Sequence, residues 1–212
     1  MELAITARAQ QTSLNHLGVG QVGVVVDPDG ELVVRIAAGD HAAARALLAR
    51  HLPRILNLSR RMLGGQAEAE DVAQEVFLRV WTHAARWQPG AAKFETWLHR
   101  VAINLCYDQL RKRHTANIET IPEPVDPAPG PAATLFLSQL GAAVDAALGG
   151  LPERQREAIV LCHHQGLSNI DAAEVMGVSV EALESLLSRG RRTLKEQLKN
   201  LRADVLDARS DG

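Results

Sequence analysis

The sequence predicts an all-α protein made of two small helical domains joined by a proline-rich linker. Three observations carry that expectation. Ala and Leu dominate the apolar set, while three Trp, three Phe and one Tyr are the only aromatic residues among 212; Ala and Leu are strong helix formers. Apolar residues recur at helical spacing in both halves, with no strand pattern in either. Between the halves, residues 115–131 read TANIETIPEPVDPAPGP. Prolines and acids with few large apolar groups cannot build a core, so this stretch is an extended connection.

The elements follow in order. Residues 1–28 are weakly patterned and expected to be a poorly ordered extension; Gln21–Val26 could form a short strand before the turn Asp27-Pro28-Asp29-Gly30. The first domain spans 29–114. Leu32, Val33 and Ile36 begin a helical pattern, and Asp40 is placed to cap a helix over His41–Arg50. Pro53 starts a new helix that Gly64-Gly65 ends. A helix from about Ala67 to Trp81 puts Val72, Ala73, Val76, Phe77 and Val80 on one face. Thr82–Lys93 reads as a loop around Pro89-Gly90. A long helix over Phe94–Arg113 buries Phe94, Trp97, Leu98, Val101 and Leu105 and shows Arg100, Asn104, Tyr107, Asp108 and Arg111 on its opposite face.

After a linker at 115–132, the second domain spans 133–203, followed by a tail at 204–212. Leu135, Leu140, Val144 and Leu148 mark its first helix. Pro152 suits the first position of the next helix, which ends at Gly166. Ser168 with Asp171 three residues on resembles a capping box. A short helix runs to Met176, then the turn Gly177-Val178-Ser179, then a last helix from Val180. Its core stripe is Leu183, Leu186, Leu187, Gly190, Leu194, Leu198 and Leu201.

Net charge is only −2, so any attraction to nucleic acid must be local. It is concentrated in two places. Leu98–His114 holds Arg100, Arg111, Lys112 and Arg113 against Asp108. Arg189–Lys199 holds Arg189, Arg191, Arg192, Lys195 and Lys199 against Glu196. The stretch Ala67–Glu75 is acidic instead. Charge divided by segment points to different partners for different surfaces.

The span Ser168–Arg192 has helix-turn-helix spacing. Arg189 and Arg192 suit phosphates, while Ser179, Glu181, Glu184, Ser185 and Ser188 fall where bases are read. An ordinary helical hairpin is the plain alternative. On the acidic helix, Leu78 and Trp81 stand beside Asp71, Gln74 and Glu75; a mixed apolar and acidic stripe suggests a protein interface as readily as a solvated face. Trp81 and Trp87 fit the core less well than Phe94 and Trp97, and an aromatic loop beside a basic helix could hold unstacked bases. Cys106 and Cys162 read as small buried hydrophobes. His163-His164 lacks ligands at metal spacing, so no metal or cofactor is expected. No apolar run approaches the roughly 18 residues of a membrane span, and no signal-peptide pattern opens the chain. A cytoplasmic protein is expected. There is no phosphate loop or nucleophile elbow, and an enzyme is not.

Taken together, Glu31–Leu201 resembles the extracytoplasmic-function group of bacterial sigma factors. ELVVRIAAGDHAAARALLARHLPRI resembles its opening helix, and AEDVAQEVFLRVW its core-polymerase-binding segment. FETWLHRVAINLCYDQLRKR looks like its promoter-melting and minus-ten helix. LPERQREAIVLCHHQGLSNIDAAEVMGVSVEALESLLSRGRRTLKEQL looks like its minus-thirty-five domain. The resemblance implies binding to the RNA polymerase core (its beta-prime and beta subunits) and to promoter DNA, under control of an anti-sigma factor. It puts Asp71, Gln74, Glu75, Leu78 and Trp81 at the core contact. It puts Trp87, Lys93, Arg100, Asn104, Asp108, Arg111 and Arg113 at the opened minus-ten element. The recognition helix departs from the family: where T-V-K-S-R is frequent, this chain has Glu181-Ala182-Leu183-Glu184-Ser185. The rival is a free-standing regulator that uses the helix-turn-helix alone.

Overall fold

The computed structural model describes residues 27–88, 93–116 and 132–207. The possible strand at 21–26, most of the linker and the end of the tail lie outside them. Every element among the described residues is helical.

The first domain begins with α1, Gly30–Ala37, and α2, His41–Leu63. Asp40 caps α2 as its sequence position suggested: its carboxylate accepts from the N–H groups of Ala42 and Ala43 at 2.8 and 3.1 Å, two of the donors a helix start leaves unmatched. The expected break at Pro53 does not occur. Proline removes one N–H and leaves the carbonyl of Ala49 without its helical donor. Both residues are exposed, so water can replace that bond and α2 continues. It stops at Gly64, whose φ of +77° only glycine adopts without strain.

Next come α3, Gln66–His83, a single 3-10 turn at Ala84–Arg86, and α4, Phe94–Ala116. The turn occupies part of the segment read as a loop. All five residues of the predicted α3 face are buried. They pack against Leu47, Ile55, Leu58 and Met62 of α2 and Phe94, Leu98, Ala102 and Cys106 of α4. Full burial of one Leu, Val or Phe side chain is worth about 1.5–3 kcal/mol, so this three-helix core fixes the faces left outside. Trp97 and Val101, expected in the core, are half-buried at its edge.

The second domain contains α5, Ala132–Gly149, and α6, Glu153–Ile159, which runs into a π-helical turn at Val160–His164. Pro152 is the N-cap of α6, one position before the expected place. In the π turn, the N–H of Gln165 reaches back five residues to the Val160 carbonyl at 2.9 Å, which inserts one extra residue into the helix. Then come α7, Asn169–Met176, and α8, Val180–Asp207. Ser168 caps α7, accepting from the Asp171 N–H at 3.1 Å and donating to the Asp171 carboxylate at 2.6 Å. Leu183 and Leu187 of α8 are buried and Leu198 is exposed; Leu201, expected in the same stripe, lies outside the residues whose side chains are described. Gly190 has a steric role: a Cβ there would lie 3.1 Å from Ile159 of α6, so its absence lets the two helices touch.

The two domains pack against each other. α4 meets α7, and α2 meets α5, α6 and the π turn.

Candidate nucleic-acid and protein interfaces

The outer face of α3 divides along a ridge. Leu78 is 50% exposed and Trp81 36%, large apolar areas for water to cover. With Gln74 they flank a groove between α2 and α3 whose floor is Leu48, Leu52, Leu56 and Phe77. Asp71 and Glu75 fall on the other side of the ridge, in a polar groove shared with Arg79 and with Asp108, Gln109, Arg111 and Lys112 of α4. Glu75 pairs with Arg79 at 2.9 Å. The five residues expected at one contact thus line two adjacent grooves. Sequence reading missed Leu48, Leu52 and Leu56. Their spacing of four marks one face of a helix, a signal hidden by breaking the helix at Pro53.

On α4, Arg100, Asn104, Arg111 and Lys112 are exposed and Asp108 is partly so. Asp108 and Arg111 form an ion pair one turn apart. Arg113 is turned inward, donating to the Leu63 carbonyl at 2.6 Å and pairing with Glu68; that cation holds the Glu68 carboxyl below the usual carboxylate range. Tyr107, expected on the open face, is half-buried and donates to Glu157 of α6 at 2.7 Å. Before α4, Trp87 lies edge-on to Phe94 and Trp97 at centroid distances of 5.5 and 6.1 Å, while His83 stacks on Trp97 at 4.8 Å. The Trp87 ring is therefore half-buried in an aromatic cluster beside the start of α4. Its indole N–H is buried without an acceptor among the described residues.

Lys93 and Arg100 reach the second domain. Lys93 Nζ is 2.9 Å from Asp171, and each shifts the other as an ion pair should. The Asp171 carboxylate raises the lysine. The Ser168 hydroxyl and then Lys93 lower the aspartate. Arg100 donates to the Glu174 carbonyl at 2.6 Å.

α7 and α8 meet through Gly177, at φ +64°, which turns the chain tightly as a helix-turn-helix requires. Ser179 caps α8 through its hydroxyl, which accepts from Ala182 N–H at 3.2 Å. Glu181, Glu184, Ser185, Ser188, Arg189 and Arg192 are all exposed on one side. The Glu181 carboxyl is held below its ordinary range by its own N–H and by the Ser179 hydroxyl. Glu184 accepts from Asn169 of α7 at 3.3 Å. Arg189 folds back onto Ser185, with a 3.1 Å bond to its hydroxyl. The face therefore starts acidic and turns basic one helical turn later.

Among the described residues, no cluster of three His, Cys, Asp or Glu is arranged to hold a metal ion. No helix among them is long and apolar enough to cross a membrane.

Comparison with known proteins assigns both halves. Residues 47–115 match the family model for sigma-70 region 2, and residues 141–194 match that for sigma-70 region 4. The chain is 39% identical over 200 residues to the ECF RNA polymerase sigma factor SigE of Mycolicibacterium smegmatis, covering 90% of this chain and 77% of SigE. It is 29% identical to SigW of Bacillus subtilis, covering 80% and 96%. Among solved structures, it is similar to CnrH in complex with the cytosolic domain of CnrY, with a TM-score of 0.64 and 29% identity, covering 82% of this chain and 99% of that one. It is also similar to RpoE of Bartonella quintana in complex with the anti-sigma factor NepR, with a TM-score of 0.62 and 28% identity over 73% and 96% of the two chains. Two helical domains that match regions 2 and 4 in order, with a relative of this identity and coverage, settle the membership: the chain belongs to the extracytoplasmic-function group of RNA polymerase sigma factors.

Proposed function

We propose that the chain directs core RNA polymerase to promoters in the cytoplasm, with residues 29–114 and 133–203 as its two working domains. The groove of Gln74, Leu78 and Trp81, with the carboxylates of Asp71 and Glu75 across the ridge, holds the polymerase core. The observation that carries this assignment is the exposure of Leu78 and Trp81 above an apolar groove, next to a basic helix on the same domain. A large apolar pair in a polar rim is the usual make-up of an interface anchor.

The α4 face of Lys93, Arg100, Asn104, Asp108 and Arg111 holds the opened minus-ten strand, with Trp87 beside it. Bases leaving a duplex cost a few kcal/mol in lost stacking, which contacts to aromatic rings and cations can offset. Arg113 supports this face from within, by tying the end of α4 to α2 and α3. On α8, Arg189 and Arg192 hold phosphates of the minus-thirty-five duplex. Glu181 and Glu184 weaken nonspecific hold there, because they repel phosphate wherever they do not accept from a base donor. The chain supplies specificity and the polymerase performs the phosphoryl transfer. By analogy with the CnrY and NepR complexes of its relatives, an anti-sigma factor covers these surfaces until a signal releases it.

Asp71→Arg with Gln74→Ala tests the first assignment. Co-purification with core polymerase should be lost while circular dichroism stays unchanged. Undiminished association would remove the interface from α3.

A further inference from the structure

Asp27 reads in sequence as part of a turn, yet its carboxylate works at a distance. One oxygen accepts from the N–H of Phe94, the first residue of α4, at 2.9 Å. The other accepts from the N–H of Asp29 at 3.1 Å, and the Asp27 carbonyl accepts from the N–H of Gly30 at 3.2 Å. Pro28, whose ring fixes its own φ, lies inside this turn. Gly30 leaves the first oxygen its place, since a Cβ there would stand 3.3 Å from it. The first N–H groups of a helix have no partner within it. One of those of α4 is thus matched by a residue sixty-seven positions earlier.

The same stretch of chain is tied to the aromatic cluster. Asp29 is buried, pairs with Arg50 and lies 2.8 Å from Nε2 of His51. The His51 ring stands edge-on to Phe94 at a centroid distance of 6.1 Å, and Phe94 is edge-on to Trp87 at 5.5 Å. On the other side of Trp87, α1 meets the turn at Ala84–Arg86. Val33 of α1 and Ala84 of that turn are both buried, and the Trp87 N–H donates to the Ala84 carbonyl at 3.1 Å. Residues 27–37 therefore support both neighbours of Trp87, the turn before it and the helix start after it. A side chain that must meet a ligand has to be held to within about 0.5 Å by supports behind it.

We propose that Asp27 is a positioning residue for promoter opening: by holding the first N–H of α4 it fixes Phe94, and through Phe94 the place of Trp87 against the unpaired strand. The inference rests on the assignment of Trp87 and α4 to the opened minus-ten element. Asp27 lies ahead of the residues expected to form the first working domain, and that domain then begins two residues earlier.

The test uses the full chain joined to core polymerase, on a promoter fragment selected from genomic DNA by run-off transcription with the unaltered protein. Asp27 is only partly buried, so Asp27→Ala spares the three-helix core. Opening, read as permanganate reactivity of unpaired thymines, should fall about three- to tenfold, the equivalent of one hydrogen bond. Association with core polymerase and binding to the closed duplex should not change. Asp27→Asn keeps one acceptor oxygen and should restore most of the opening. Ile55→Val, a trimmed core residue of α2, should lower the melting temperature at least as much and leave opening intact. Trp87→Ala should reduce opening without further loss when combined with Asp27→Ala. Normal opening by Asp27→Ala, with Trp87→Ala impaired, overturns the positioning role. An Asn variant as damaged as the Ala variant, or equal damage from Ile55→Val, overturns the hydrogen bond as its cause. Normal opening by Trp87→Ala and by Arg100→Ala overturns the assignment on which the inference rests.

Discussion

The two helices proposed to face DNA use their positive charge in opposite ways. On and beside α4, Lys93, Arg100 and Arg113 are each held by an oxygen from elsewhere in the chain. On α8, Arg192, Lys195 and Lys199 are exposed, and Arg189 is bonded only to Ser185 of the same helix. The first set is tied to other elements of the fold; the second is held by nothing outside its own helix among the described residues. Near-neutral net charge alone conceals this difference. It teaches that a basic residue's value to DNA depends on what it must leave behind.

The strongest way to break the comparison is to remove the second domain's geometry. Gly190→Leu places a side chain where even a Cβ would crowd Ile159. Overpacking of this kind costs about 1–3 kcal/mol. Thermal unfolding followed by circular dichroism should show the loss, and duplex binding should fall with it.

A finer test separates the two cation sets by salt. Arg189→Ala with Arg192→Ala should lower the slope of log affinity against log salt for duplex DNA by about 2. Lys93→Ala should leave that slope unchanged. Equal effects from both variants would erase the distinction between the helices.

Acidity probes the contact between them. His99 is fully buried and its side chain faces Gln165 of the second domain at 3.5 Å. Burial pushes its pKa below 6.5, so the folded protein prefers the neutral ring. That contribution is complete above pH 6.5 and is lost as pH falls through the lowered value. Glu157 acts oppositely: burial raises its carboxyl above 4.5, which favours the folded state as pH falls. His99→Gln isolates the first effect. The fall in melting temperature between pH 7 and 6 should be smaller in the variant than in the unaltered chain.

The smallest expected effect is chemical. One cysteine reports on each domain. Burial pushes the Cys106 thiol up to about 12, whereas Cys162 is only half-buried and is raised by the same cause. Thiolate is the reactive form. At pH 8, iodoacetamide followed by mass spectrometry should find Cys162 modified first, with Cys106 reacting only after denaturation.

Much of this was legible in the sequence because it depends on local chemistry. The Asp40 cap, the α3 core face and the Gly177 turn follow from neighbours within a few residues. The errors came from bonds made at a distance or in solvent. Pro53 looked like a boundary because sequence does not reveal that the carbonyl it orphans faces water. Tyr107 looked exposed because its acceptor, Glu157, is fifty residues away. Arg113 looked like a DNA contact because its partners lie at the end of α2 and the start of α3. The packing of the two domains left no local trace, since a proline-rich linker fixes neither distance nor direction. The grouping of site residues was visible only as a helix face, and three dimensions were needed to divide it into two grooves.

The π turn after α6 has a genetic reading. One additional residue in that helix rotates everything beyond it by roughly a quarter-turn or more, and Gln165, whose carbonyl accepts from Arg54, is the first residue affected. A deletion of one codon there would restore a regular helix and re-aim Gln165, while the three-helix core of the other half would be untouched. A single-residue indel there would re-aim the Gln165 contact, while those of Asp145, Arg156 and Glu157, which precede the turn, would stay.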